Sequence, residues 1–241
     1  MEQTVQAIPL ENLAIAFIPV LLVLVIIWQW KLNLVESIYS LFRMLIQLLL
    51  IGYFLVYIFN SDSSVTVLIL LSVMLVASSW IALRTIDIPN KELFLVVFIS
   101  ISVSGIFVLV IVSQGVVTAT PWYKASILIP LGGMIFANSM TTISLAGERL
   151  VNEIKNGADF FKARQAAMST SLIPIINSMF AVGLVSLPGM MTGQILAGVS
   201  PLSAVRYQIM VMCMIFGSSG LAAAIFLLLI KNKLNLKQTT S

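Results

Sequence analysis

Glu148–Arg164 reads ERLVNEIKNGADFFKAR. These 17 residues hold seven of the 22 charged residues of the chain, which has 13 Lys and Arg and 9 Asp and Glu. Ala125–Gly147 before them and Gln165–Val205 after them carry no charge at all. About 20 apolar residues suffice for a helix to cross a ~30 Å hydrocarbon layer. A polar island between two such runs is predicted to be a connection in water between elements that sit in lipid.

The rest of the chain agrees. It has 241 residues, 60% hydrophobic and 9% charged, with a mean hydropathy of +1.09. Soluble domains carry about 25% charged residues, so this composition cannot cover a water-exposed surface. Lipid offers no partner to a bare backbone amide, so the spanning segments must be helices. The expectation is an all-α, polytopic membrane helical bundle, residues 1–241 forming one transmembrane domain. Seven spans are predicted at about 12–30, 39–59, 65–83, 93–112, 125–147, 172–191 and 207–230.

Charge sets the orientation. Lys31, Arg43, Arg84, Lys91, Arg149, Lys155, Lys162, Arg164, Lys231, Lys233 and Lys237 fall on one side in alternate connections, leaving Lys124 and Arg206 on the other. This predicts the N-terminus outside, the C-terminus cytoplasmic and the island in the cytoplasm. Met1–Glu11 has two glutamates and no basic residue, so the first span reads as retained rather than as a cleaved leader. The tail Lys231–Ser241 is expected to be mobile.

Several chemistries are excluded. The chain has no His, so His proton relays and His-ligated metals are ruled out. Cys213 is the single cysteine, so no intrachain disulfide forms. No G-x-x-x-x-G-K-[ST] loop is present to cradle ATP. No acidic residue falls inside a predicted span, where an ion-coupled transporter keeps its carboxylates. The basic balance, scattered over membrane connections, does not point to nucleic acid.

Four features remain as candidate sites. Leu150, Ile154, Ala158 and Phe161 recur at helical spacing in the island, giving an apolar face edged by Glu153, Lys155, Asp159 and Lys162, with Gly157 able to divide two short helices. Such a face docks in the groove of a cytoplasmic partner or lies on the bilayer. Val182–Gly198 contains Gly183, Pro188, Gly189, Gly193 and Gly198; Pro188-Gly189 is expected to kink or break a span, and transporters often bind or gate substrate at a broken helix. Met179, Met190, Met191, Met210, Met212 and Met214 cluster late, with Cys213 among them; these are soft-metal ligands or flexible packing. Arg43, Gln47, Asn138 and Asn177 are polar groups at membrane depth, expected to face a bundle interior.

VGLVSLPGMMTGQILAG (Val182–Gly198) and the following SPLSAVRYQIMV (Ser200–Val211) closely resemble the FetB-type ABC transporter permeases, a family described as probable iron-export permeases with plant relatives linked to aluminium tolerance. Arg43 and Gln47 are similar to its second-span R-x-x-x-Q-L segment, and Ile129–Met140 to its I-P-x-x-G-M-I-x-x-N-x-M segment. The resemblance implies a plasma-membrane permease subunit exporting iron or another metal. It implies a separate cytoplasmic ABC ATPase that uses ATP and Mg, a second permease chain forming a homodimer, and no cofactor on this chain. Leu150, Glu153, Ile154, Gly157, Ala158 and Phe161 would then be the ATPase-coupling segment, within about 148–164. Arg43, Gln47, Asn138, Asn177, Pro188, Gly189, Met190 and Met191 would line the translocation path. A seven-helix receptor, or a permease for a chelated metal or organic substrate, are the alternatives left by the residues themselves.

Overall fold

A computed structural model describes residues 9–59, 63–86 and 91–238. The helices are α1 (Leu10–Ile15), α2 (Ile18–Gln29), α3 (Leu34–Phe59), α4 (Ser64–Leu83), α5 (Lys91–Val110), α6 (Ala125–Lys155), α7 (Phe160–Ala181), α8 (Gly189–Leu196) and α9 (Pro201–Gln238); α5 continues as a π-helical turn, Ile111–Val116. Among the described residues no strand forms beyond one isolated bridge, Val182 to Ser186. The all-α membrane bundle is thus observed. Among the described residues, six helical segments are long and apolar enough to cross a membrane: Glu11–Gln29, Leu34–Leu55, Ser64–Leu83, Leu93–Val116, Ala125–Lys155 and Pro201–Lys231.

The chain forms two compact units, Met1–Ser61 with Leu196–Gly198, and Asp62–Ile195 with Val199–Ser241. In the first, α2 and α3 pack as a hairpin, with Pro19, Val23 and Ile27 across a shallow groove from Ser37 and Leu41. Its turn is built locally. Lys31 takes a left-handed φ of 56°. Asn33 Oδ1 accepts from the Glu36 N–H at 3.2 Å while Asn33 Nδ2 donates to the Glu36 carboxylate at 3.0 Å, a reciprocal cap of the kind that starts helices.

The second unit packs α4, α5, α7 and α9 around or against α6. Its polarity is that of a membrane protein. On α4, Val67, Leu71, Leu75, Ser78, Ser79 and Ala82 face inward, while Leu68, Ile69, Val73, Val76 and Trp80 are exposed. Small and hydroxyl residues fill the inside because close backbone approach, not hydrophobic exclusion, drives association in lipid. A Cβ on Gly132 would stand 2.5 Å from Leu71 Cδ2, and one on Gly147 would collide with Ile86. The buried hydroxyls mostly turn back on their own helices: Ser79 Oγ donates to Leu75 O at 2.8 Å and Ser100 Oγ to Val96 O at 2.7 Å. Ser144 Oγ instead bridges helices, donating to Ala82 O at 3.1 Å.

Three expectations are corrected. The span predicted at 172–191 is not one helix: it runs from the second half of α7, Phe160–Ala181, across the break at 182–188 into α8, and α7 is not among the six segments long and apolar enough to cross a membrane. The first turns of α7 carry Lys162 and Arg164 and so failed a hydropathy reading, yet Ala163 and Ala167 are fully buried there. The island is not an independent loop, because α6 runs on to Lys155 and only Asn156–Asp159 intervenes before α7. The tail is helical at its start, since α9 continues to Gln238.

Candidate functional site

Two places in the second unit combine irregular backbone with chemistry, and they lie at opposite ends of α7. The first is the α6–α7 turn. The last turn of α6 extends beyond the apolar stretch with an i,i+4 ion pair between Arg149 and Glu153. It ends where Gly157 takes φ +83°. The Ala158 N–H then reaches Glu153 O and the Gly157 N–H reaches Ile154 O, each at 3.0 Å, so the orphan carbonyls are met by a glycine-ended cap. Asp159 starts α7 by accepting from the Phe161 N–H at 3.0 Å.

Beside this turn, Phe160 and Phe161 meet edge to face at 6.4 Å. The Lys231 ammonium lies 5.8 and 5.2 Å from their two centroids, and the Arg164 guanidinium 5.2 Å from Phe161. The clasp ties the start of α7 to the far end of α9. It also puts Arg149, Lys155, Lys162, Arg164 and Lys231 at one end of the unit.

The expected docking face is therefore redistributed. Leu150 is fully buried and belongs to the core; this corrects its assignment to a docking surface. Ile154 and Ala158 are half-buried, Glu153 keeps 25% of its side chain exposed, Gly157 is exposed, and Phe161 is 55% exposed. The helix break also means that Leu150 and Phe161 do not share one continuous helical face.

The second place is the break after α7. That helix ends at Val182, with Gly183 at φ +84°. Ala181 O then accepts from the N–H groups of Leu184, Val185 and Ser186 at 3.2, 2.8 and 3.1 Å. Pro188 does not break a helix; it stands at the start of α8, where the Thr192 N–H bonds its carbonyl at 3.0 Å and its missing donor is harmless. A cavity of about 280 Å³ sits here, lined by Val182, Gly183, Met191, Val205, Gln208, Ile209, Met212 and Cys213. Since α7 runs antiparallel to α9, from Phe160 at Lys231 to Val182 near Gln208, the cavity is about 35 Å along α9 from the aromatic clasp at 1.5 Å per residue.

The expected path residues are only partly gathered. Met191 is buried and lines the cavity; half-buried Met190 and Pro188 and exposed Gly189 do not. Asn138 is half-buried, and its Nδ2 donates to Met134 O at 2.8 Å, within its own helix. Asn177 is exposed on α7. Arg43 and Gln47 sit one turn apart on α3 in the first unit, the former half-buried and the latter exposed. Gln208 was missed by sequence reading, although a glutamine inside an uncharged apolar run is itself a signal. A larger cavity of about 520 Å³ lies between α4, α5 with its π turn, and α6, and is apolar apart from Ser72, Ser113, Gln114 and Trp122. Among the described residues no three His, Cys, Asp or Glu side chains come together to hold a metal.

Residues 10–234 match the family described as Uncharacterised protein family (UPF0014). The chain is 38% identical to a UPF0014 membrane protein of Synechocystis over 195 residues, 75% of each chain. It is 34% identical to the Probable iron export permease protein FetB of Escherichia coli over 232 residues, 89% of this chain and 88% of that one. It is 32% identical to the Protein ALUMINUM SENSITIVE 3 of Arabidopsis thaliana, covering 87% and 81%. No solved structure matches the chain.

Proposed function

This chain belongs to the UPF0014 family of membrane proteins, and from that premise we propose that it is the permease subunit of an ATP-driven exporter of iron or another metal. The observation that carries the reading is the match to a relative named as a probable iron export permease over nearly nine-tenths of both chains. The sequence has no phosphate-binding loop of its own, so the fuel comes from a separate cytoplasmic ABC ATPase that binds ATP and Mg. The plasma membrane is the location, with residues 1–241 acting as one permease domain paired with a second copy.

The α6–α7 turn is the coupling element of this proposal. It offers Phe161 and Ile154 as apolar contacts beside Glu153, and it is continuous with two long helices. Closure of the ATPase pair displaces the turn, and α6 and α7 carry the displacement along the bundle toward the break at 182–188. A rigid hairpin suits that task better than a loop, since a push on a loop is absorbed locally. Coupling requires contacts that differ between two states, so they belong on exposed Phe161 and half-buried Ile154 rather than on buried Leu150.

The test is co-purification with the ATPase, then hydrolysis in liposomes across a panel of metals and chelates. Ile154→Asp and Phe161→Asp are expected to insert normally and to lose substrate-stimulated hydrolysis. Wild-type stimulation in both variants would remove the coupling role. A chelated metal or organic cargo is a second reading, favoured by the 520 Å³ apolar cavity, whose size and lining are those of small-molecule sites. Stimulation by chelates but not by free metals would select it.

A further inference from the structure

A groove of about 360 Å³ lies between α7 and α9 beside the aromatic clasp. Arg164, Gln165 and Met168 form its wall on α7, and Ala224, Leu227 and Leu228 its wall on α9. Each wall is one helical stripe. Phe161 leads into Arg164, Gln165 and Met168 at i+3, i+4 and i+7, and Ala224 leads through Leu227 and Leu228 to Lys231 in the same way. The two helices run antiparallel, so Phe161 and Lys231 meet at one end of the groove. Met168 and Ala224, each seven residues further in, line the other.

The two ends differ in chemistry. At the first, Arg164 and Lys231 each stand 5.2 Å from the Phe161 centroid, so their charges are at most twice that distance apart. Like charges this close repel, most of all at the edge of lipid. Among the described residues no carboxylate pairs with either cation: Glu153 is paired with Arg149, and Asp159 caps α7 through the Phe161 N–H. Arg164 is half-buried, and the ring face supplies only part of what a counter-ion would. Toward the second end the lining is apolar, with Leu227 buried as a floor and Leu228 exposed at the open side. This track extends roughly 10 Å along α9 from Lys231 to Ala224. The apolar segment of α9 is Pro201–Lys231, which puts Lys231 at headgroup depth and Ala224 in hydrocarbon.

We propose that this groove binds one anionic phospholipid. Its phosphate lies between the Arg164 guanidinium and the Lys231 ammonium, and the start of one acyl chain lies along Met168, Ala224 and Leu228. Basic pockets between membrane helices hold anionic headgroups in this way, and the guanidinium fork can donate two N–H groups to phosphate oxygens. A free phosphate would leave the apolar track unfilled. A second copy of this chain would bring the same two cations to the same place. A zwitterionic lipid adds an ammonium of its own to the cluster and so binds less tightly. The bound lipid joins α7 to α9 at the junction that the clasp also holds. Binding is a property of this chain alone and does not rest on the permease reading, so the two fail separately.

The purified full-length chain in mild detergent is titrated with phosphatidylglycerol or with phosphatidylcholine of identical acyl chains, and bound lipid is counted by native mass spectrometry. The wild type is expected to retain one phosphatidylglycerol per chain, about tenfold more tightly than phosphatidylcholine. Arg164→Gln and Lys231→Gln should each weaken phosphatidylglycerol binding about fivefold, while Arg164→Lys, which keeps the charge, should recover most of the preference. Ala224→Leu fills the track and should weaken both lipids. Lys124→Gln removes a charge at the other end of α6 and should bind as wild type. Inorganic phosphate should not displace the lipid. Equal retention of the two lipids by the wild type overturns the proposal, and that readout needs no variant. So does a loss in Lys124→Gln equal to that in Arg164→Gln, which would assign the preference to net charge. Displacement by inorganic phosphate would assign the cations to a free anion. A lipid-free dimer broken by Ala224→Leu would give the groove to a second copy. Either result overturns it too.

Discussion

Two glycines on either side of the membrane boundary have different physical reasons to be glycine. Gly147 is inside the bundle, where an added Cβ would collide with Ile86. Gly157 is exposed with nothing within 4 Å of an added Cβ, but it holds φ +83°. Replacing Gly147 with Ala overpacks α6 against Ile86, three residues past the end of α4, and should cost about 1–3 kcal/mol. Replacing Gly157 with Ala forces a side chain into the left-handed region and should cost about 1–2 kcal/mol. The two mechanisms separate through asparagine, which enters the left-handed region more readily than other residues. Gly157→Asn should recover most of the loss at that site, while Gly147→Asn should be worse than Gly147→Ala. Unfolding by SDS in mixed micelles measures all four; equal loss for Ala and Asn at position 157 would contradict the backbone argument. The left-handed role of Gly157 could be anticipated from its place after an amphipathic run, as the sequence reading did in dividing two helices there. The collision at Gly147 could not, because it depends on Ile86, 61 positions away.

At the scale of elements, α7 is where sequence and structure part, and the reason is specific. Hydropathy excluded its first turns because of Lys162 and Arg164. The structure keeps them helical because Ala163 and Ala167 bury completely while Arg164 lies over Phe161 and Lys231 over both phenylalanines. A cation over an aromatic ring is worth about 0.5–1 kcal/mol at exposed sites, and it lets charged residues occupy the boundary without leaving the helix. At the other end, Pro188 looked like the breaker, yet the chain had already left the helix at Gly183. Proline there starts the next helix instead. The clasp gives a test at this scale. Phe160→Ala removes one of the two rings under Lys231 and should loosen the junction of α7 with the end of α9. Amide exchange in the first turn of α7 is expected to accelerate several-fold while exchange around Ile135 in α6 is unchanged. Uniform acceleration through both helices would mean that the aromatic pair supports the whole bundle rather than one junction.

Across the whole molecule, the membrane class was written in composition and the charged island located the α6–α7 connection, because both depend on solvent rather than on tertiary contact. The cavity depended on contacts between α7, α8 and α9, so only its methionine cluster was visible beforehand and Gln208 was not. The distribution of charge remains the argument for sidedness. In the second unit, Ile86 packs at Gly147 and Phe160 packs at Lys231, so the ends of α4, α6 and α9 that carry Arg84, Arg149, Lys155 and Lys231 converge on one end. Lys124 opens α6 at the other end. The positive-inside tendency favours the cytoplasmic side for such a cluster, and the coupling proposed above requires the turn to be on that side. Single cysteines placed in a Cys213→Ser background read this directly. Asn156→Cys, in the exposed turn, should react with a membrane-impermeant maleimide only after the cells are opened. Thr118→Cys, in the exposed connection before α6, should react in intact cells. The reverse pattern would put the α6–α7 turn outside, beyond reach of any cytoplasmic ATPase. The coupling role would then fall.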